Sequence, residues 1–241
     1  YIDMTHCSVG ACILGYADPD VDAAVQKAVQ DGTLCTLNCP EEVELAELLL
    51  ELHSWAQKVR YARGGGEAMA MAVRIARAAT GRERIAFCGY HGWHDWYLAA
   101  NLAEDHALDG HLLPGLEPAG VPRSLAGTVA PFRYNQLGEL QAIATEQGRA
   151  LAAIVMEPIR NDEPAPGFLE GVREIARRLG AVLIFDEVSA GFRLATGGAH
   201  LRLGIMPDIA VLSKAMSNGY PMAAVLGIAS VMEAAQKSFI S

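Results

Sequence analysis

The sequence has no run of lysine or arginine, and its formal net charge is −9. That balance argues against nucleic acid or an anionic membrane as a partner, while backbone amides remain able to bind a small anion locally. No apolar stretch approaches the ~18 residues of a membrane span, and no charged-then-apolar start marks a signal peptide. Cysteine is sparse: Cys7, Cys12, Cys35, Cys39 and Cys88 form an odd, scattered set. They make no disulfide framework and fit a reducing, cytoplasmic setting. Cys35 and Cys39 with His53 match no zinc spacing, and His91-x-x-His94-Asp95 lacks the helical zinc-protease pattern, so no metal is expected. The phosphate-loop signature G-x-x-x-x-G-K-[ST] is missing, and no G-x-G-x-x-G follows a strand. The chain also lacks an initial methionine: "YIDMTHCSVGACILGYADPDV" reads like the middle of a protein, so a fragment is expected.

What is present is a globular composition, with 51% hydrophobic and 20% charged residues over 241 positions, enough for one large domain. Helices are predicted in "DPDVDAAVQKAVQDG", "CPEEVELAELLLELHSWA" and "GGGEAMAMAVRIARAATG", with acids or proline at their starts and glycine after the first and third. From there strands alternate with helices. "RIAFCG", the weaker "GTVAPF", "LAAIVMEP", "AVLIFDEV", "DIAVLSK" and "MAAVLGI" read as strands. "QLGELQAIATEQG" and "GFLEGVREIARRLG" read as helices, the latter with Phe168, Leu169, Val172, Ile175, Ala176 and Leu179 on one face. This alternation predicts an α/β fold with a mostly parallel central sheet and helices on both faces. Ligands of such sheets bind at the carboxyl ends of the strands.

Unusual residues gather at those ends. In "AVLIFDEVS" a buried strand runs into two acids, and strand alternation puts Asp186 and Val188 on one side and Glu187 on the other. Lys214 ends the next apolar strand, "DIAVLS". A lone lysine there could simply reach water, and a lone acidic pair could be solvated. A lysine and an aspartate at the ends of two buried strands in one sheet suggest a shared pocket. Lysine with a depressed pKa forms Schiff bases, and an aspartate keeps a heterocyclic nitrogen protonated; these are the two groups a pyridoxal-phosphate enzyme needs. Gly64, Gly65 and Gly66 precede a helix and free its amides for a phosphate, although a glycine triplet alone is equally a tight turn. Tyr90 and His91 follow the strand "RIAF", where a flat side chain can stack on a cofactor ring.

Together these features resemble the class III aminotransferases of the fold-type I pyridoxal-phosphate enzymes, near glutamate-1-semialdehyde aminomutase. The segments that carry the resemblance are "YIDMTHCSVGACILGYADPDV", "GGGEAMAMAVRIARAATGRERIAFCGYHGWHD", "VMEPI", "GFLEGVREIARRLGAVLIFDEVSAGFR" and "MPDIAVLSKAMSNGYP", in the family's order. The resemblance implies that residues 1–55 lead into a cofactor-binding large domain over 56–241, with the family's C-terminal small domain absent. It implies Lys214 as the Schiff-base and proton-shuttling amine, and Asp186 as partner of the pyridine nitrogen. Val188 and Tyr90 would take opposite ring faces, with His91 beside Tyr90. Gly64, Gly65 and Gly66 would hold the phosphate, Glu157 would line the substrate side, and Asn161 would reach the ring hydroxyl. It further implies pyridoxal 5'-phosphate as cofactor, a small-molecule amino donor and acceptor as partners, and a homodimer of the full-length protein. Three outcomes follow: transamination, an intramolecular aminomutase reaction, or an inactive truncated cofactor domain. The chain departs from the family at Gly64 and Gly66, where hydroxyl side chains are usual.

Overall fold

A computed structural model describes residues 2–33, 36–104, 106–111 and 114–240. Helix α1 spans Pro19–Asp31, and the Asp18 carboxylate caps it by accepting from Asp20 N and Val21 N. Helix α2 spans Pro40–Leu52. It stops short of Ala56 because His53 turns inward: the buried ring sits 2.7 Å from Leu49 O and 3.1 Å from Gly197 O.

Seven strands among the described residues form one sheet: β1 Lys58–Ala62, β2 Arg84–Cys88, β3 Val129–Pro131, β4 Leu151–Met156, β5 Val182–Asp186, β6 Ile209–Leu212 and β7 Ala223–Gly227. Their order is β1-β7-β6-β5-β4-β2-β3. Strands β3, β2, β4, β5 and β6 run parallel; β7 is antiparallel to both β6 and β1. The long helices that connect them are α3 Gly65–Thr80, α4 Leu137–Gln147 and α5 Phe168–Leu179, and a short α6 Ala199–Leu203 follows β5. Strand β1 was not anticipated. All five of its residues, "KVRYA", are half-buried, and its mixed polar and apolar side chains at the sheet edge give no apolar run to read.

The pleat sorts the core into two layers. Ala153 and Val155 of β4, Ile184 of β5 and Val211 of β6 pack with Met69, Val73 and Ile75 of α3. Ile154 and Met156 of β4 and Leu183 and Phe185 of β5 pack with Leu140 of α4 and Val172 and Ile175 of α5. Leu49 of α2 joins that second face over Leu212 and Leu226. Because β2, β4, β5 and β6 are parallel, their carboxyl ends open on one edge. Cys88, Met156, Asp186 and Leu212 therefore hand the chain to the same mouth.

Candidate active site

Asp186 is the last residue of β5, buried and on the α3 side of the sheet. It does not stand unpaired. His91 Nδ1 lies 2.8 Å from its Oδ2, and Val188 N–H donates to Oδ1 at 3.0 Å. His91 Nε2 faces Cys88 O at 3.1 Å, an acceptor only, so Nε2 carries a hydrogen. The same ring therefore bridges Cys88 O and the Asp186 carboxyl group. His91 is fully buried, stacked on Trp96 at 5.9 Å between centroids, and props the carboxyl group of Asp186. Tyr90 stays half-buried, its ring edge-on to Tyr97 at 5.8 Å.

Strand β6 brings Lys214 to the same mouth. Asp186 pairs with Val211 in the ladder, three positions before Lys214. Lys214 sits at φ 47°, in the left-handed region that a side chain enters at a cost of about 1–3 kcal/mol. Its Nζ donates to Ser189 Oγ at 2.8 Å. Burial, and after it the nearby Arg160 guanidinium, pull the amine below the ordinary lysine value.

The glycines lie where α3 begins. A Cβ on Gly65 would stand 2.8 Å from Val188 Cγ1, and one on Gly66 would stand 3.1 Å from the His94 ring. Gly64, the N-cap, has nothing within 4 Å of a Cβ. So Gly65 lets Val188 close over the helix start, Gly66 lets His94 do the same, and Gly64 is under no such constraint. His94 Nδ1 is buried without a hydrogen-bond partner among the described residues. That unpartnered ring nitrogen, at the N-terminus of α3, suits an anion when it carries its hydrogen.

Glu157 follows β4. Burial first, then the Asp186 charge, raise its pKa, and Arg160 opposes this by donating Nη1 to Oε1 at 2.9 Å and to Oε2 at 2.7 Å. Asn161 lines a cavity of about 210 Å³ with Glu157, Arg160, Tyr134 and His111. His111 accepts from Gly89 N–H at 3.2 Å, and burial holds its pKa at about 4. Sequence reasoning missed Arg160, Ser189 and His111, which carry no motif and gain meaning only from the residues they meet.

Glu187 points to the opposite face of the sheet, into a second buried cluster. Its carboxylate accepts from Ala199 N at 3.0 Å, His200 N at 2.8 Å and His200 Nδ1 at 2.7 Å. Trp55 Nε1 donates to His200 Nε2 at 3.2 Å, so His200 is the neutral Nδ1–H form. Glu187 therefore pins the start of α6 and so closes the loop that carries Val188 and Ser189. Of the set screened for zinc, His53 belongs to this buried region, stacked on His200 at 5.3 Å. Cys39 precedes α2 as a free thiol, and Cys35 lies outside the described residues.

A family model described as aminotransferase class-III matches residues 1–238. A 3-aminobutyryl-CoA aminotransferase of Cloacimonas acidaminovorans is 34% identical over 249 residues, covering 100% of this chain and 56% of that protein. A glutamate-1-semialdehyde 2,1-aminomutase of Syntrophomonas wolfei is 39% identical over 240 residues, covering 97% and 54%. Among solved structures, a transaminase with pyridoxal phosphate bound superposes with TM-score 0.84 at 30% identity, covering 94% of this chain and 53% of that one. An omega-transaminase from Sphaerobacter thermophilus gives TM-score 0.81 at 35% identity, covering 92% and 52%. The chain spans about half the length of the curated relatives it matches. With a fold-type I sheet, a lysine and an aspartate at adjoining strand ends, and a family model matched along nearly its whole length, the chain belongs to the class-III aminotransferase family.

Proposed function

We propose that this chain is the cofactor-binding part of a pyridoxal-phosphate-dependent transaminase, passing an amino group from a small-molecule donor to a keto-acid or aldehyde acceptor. The observation that carries the reading is that Lys214 and Asp186 stand at the ends of neighbouring parallel strands, Asp186 pairing with Val211 three positions before Lys214. The residues present fit the cofactor: the Gly65–Val188 closure leaves no room for a Cβ, and the orphaned His94 Nδ1 lies at an anion-ready helix start. When bound, pyridoxal phosphate supplies an aldehyde that condenses with amines and a ring that accepts electrons from the adjoining carbon.

The chain's own residues do the rest. Lys214, with its pKa lowered by burial, has more of the neutral, nucleophilic amine at a given pH than an exposed lysine and can accept and return a proton at Nζ. Ser189 Oγ accepts one Nζ hydrogen and so aims the lone pair. Asp186, held by His91 and by Val188 N–H, would keep a proton on the ring nitrogen. At ~4 Å and an effective dielectric of 20 such a charge pair is worth roughly 4 kcal/mol before desolvation. Gly65 and Gly66 amides with His94 would hold the phosphate, Val188 and Tyr90 would bracket the ring, Glu157 would line the substrate side, and Asn161 would reach the ring hydroxyl.

Intramolecular amino transfer is the second reading, supported by the 39% identity to the Syntrophomonas wolfei aminomutase; a requirement for a second substrate separates the two. We place residues 56–241 in the large domain, with residues 1–55 as its lead-in, and a homodimer in a reducing, cytoplasmic setting. Exposed Ile2, Met4, Leu14 and Leu48 offer apolar surface for a subunit contact. No helix among the described residues is long and apolar enough to cross a membrane. The test is to titrate pyridoxal phosphate into the purified chain, reduce with borohydride and map the label. Label on Lys214, abolished in Lys214→Ala, is expected; absence of label would leave an inactive cofactor-domain fragment.

A further inference from the structure

Cys7 and Cys12 are free, half-buried thiols with four residues between them. Cys12 N–H donates to Cys7 O at 3.2 Å. With standard backbone dimensions that bond holds the two Cα atoms within about 7 Å, and the bend at the carbonyl brings them closer. A disulfide spans about 4.4–6.8 Å between Cα atoms. Both sulfurs also lie near one point, the Tyr16 hydroxyl. Its hydrogen bond to Asp3, then partial desolvation and the Asp3 charge, raise its pKa to about 12, and the charges of Cys7 and Cys12 add to the rise. The turn that joins the two cysteines is strained. Cys7, Ser8 and Val9 have φ of 46°, 56° and 56°, three residues with side chains in succession in the left-handed region. Their own preferences oppose that backbone, so contacts from outside the turn hold it.

Those contacts come from the loops around Lys214. Arg193 Nη2 donates to Gly10 O, and its Nε donates to Ser189 O at 2.9 Å. Asn218, four positions after Lys214, accepts from Leu14 N–H at 2.9 Å and donates to Gly15 O at 3.2 Å. The Cys12 sulfur is seated on Gly219: a Cβ there would stand 2.7 Å from Sγ, and no atom of Cys7 comes within 4 Å of that position. We infer that Cys7 and Cys12 form a reversible disulfide, and that closing it lifts the Cys12 sulfur from Gly219 and loosens the loop over 215–221 behind Lys214. The bond draws the two sulfurs to about 2 Å, which takes Cys12 off its seat. The oxidant is a low-molecular-weight disulfide such as oxidised glutathione. The thiolate of one cysteine attacks it and one small thiol leaves; the second cysteine then displaces the other from the mixed disulfide. One protein S–S bond forms and the small S–S bond breaks. Two electrons pass to the small disulfide, and the two protein thiol protons end on the two small thiols. Exposed His6 and Ser8 flank Cys7 and leave that approach open. In a reducing setting such a pair acts as a redox sensor, not as a structural staple.

The test equilibrates the protein in glutathione buffers from reduced to oxidised. Peptide mapping without reduction reads the bridge, and amide hydrogen exchange over 10–15 and 215–221 reads the loop. The expected result is a Cys7–Cys12 cross-link in the oxidised form, with exchange over 215–221 faster by about ten-fold or more and restored by dithiothreitol. Cys7→Ser and Cys12→Ser should each abolish the oxidation-dependent change, and Cys39→Ser should leave it as in the wild type. Glutathione adducts without a cross-link, a cross-link confined to other cysteines, or exchange over 215–221 unchanged on oxidation each overturns the inference. Borohydride labelling of Lys214 by pyridoxal phosphate, run beside these, should slow several-fold in the oxidised form; equal rates would overturn the link to Lys214. No label even in the reduced form would bring down the transaminase reading, while the cross-link and its exchange signature need no cofactor and are judged separately.

Discussion

Two adjoining glycines do different work although neither has a side chain. Gly65 is fixed by contact: a methyl group there would meet Val188 Cγ1 at 2.8 Å, inside any normal separation, and Val188 would have to leave its place over the helix start. Gly64 has open space around its Cβ position. Gly65→Ala is therefore expected to destabilise the chain by about 1–3 kcal/mol through overpacking and to weaken pyridoxal-phosphate binding. Gly64→Ser should leave stability within a few tenths of a kcal/mol, since serine and glycine are close as N-caps. It should also tighten cofactor binding by adding a hydroxyl at the anion site. Denaturant midpoints and fluorescence titration of the cofactor check both; equal losses in the two variants would contradict the packing argument. His91 shows how much a single residue can hide. Its position after β2 was legible in the sequence, but its partner was not, because Asp186 is 95 positions away and nothing local encodes which face of the strand end His91 enters.

At the scale of elements, the loop from β5 to α6 is held by a carboxylate on the far side of the sheet. Glu187 satisfies two backbone amides and a ring N–H at the start of α6, all in a buried setting. Glu187→Ala strands those donors, and the loss is expected at ~3–5 kcal/mol. Because Val188 and Ser189 directly follow, cofactor binding and the Lys214–Ser189 contact should loosen as well. Urea denaturation with a parallel cofactor titration reads both effects; full stability in the variant would show that α6 is held otherwise. Helices α3, α4 and α5 were legible because each buries one face against the sheet and so writes a period into the sequence, and the central strands because burial on both faces makes them apolar runs. Helix α5 is the clearest case, with Val172, Ile175 and Ala176 turned to the core and Arg177 and Arg178 turned out at its end. Strand β1 was not legible, for an edge strand with five half-buried residues writes no such period.

For the whole molecule, the lowered pKa of Lys214 links stability to pH. The folded state binds the proton less tightly than the unfolded chain, whose lysine keeps the ordinary value of 10.5. Between the lowered value and 10.5 the unfolded state thus holds more protons, and folding becomes more favourable as pH rises. Below that window the buried charge is a constant cost. Lys214→Met is expected to flatten this component of the pH dependence of the cofactor-free chain, seen as a smaller rise in urea midpoint across the alkaline range than in the wild type. An unchanged slope would place the amine in water in the folded state.

Apolar periodicity and the residues at strand ends were enough, by themselves, to give an α/β sheet, its parallel character and the gathering of Lys214 and Asp186 at one mouth. Those features follow from burial along each element and from the directionality of parallel strands. The tertiary structure alone decided which side chains meet: His91 with Asp186, Glu187 with His200, Glu157 with Arg160, and Lys214 with Ser189. Such partnerships depend on register, on the angle at which each loop leaves its strand and on the few ångströms that separate a hydrogen bond from a gap. A linear pattern of residue types carries none of these distances.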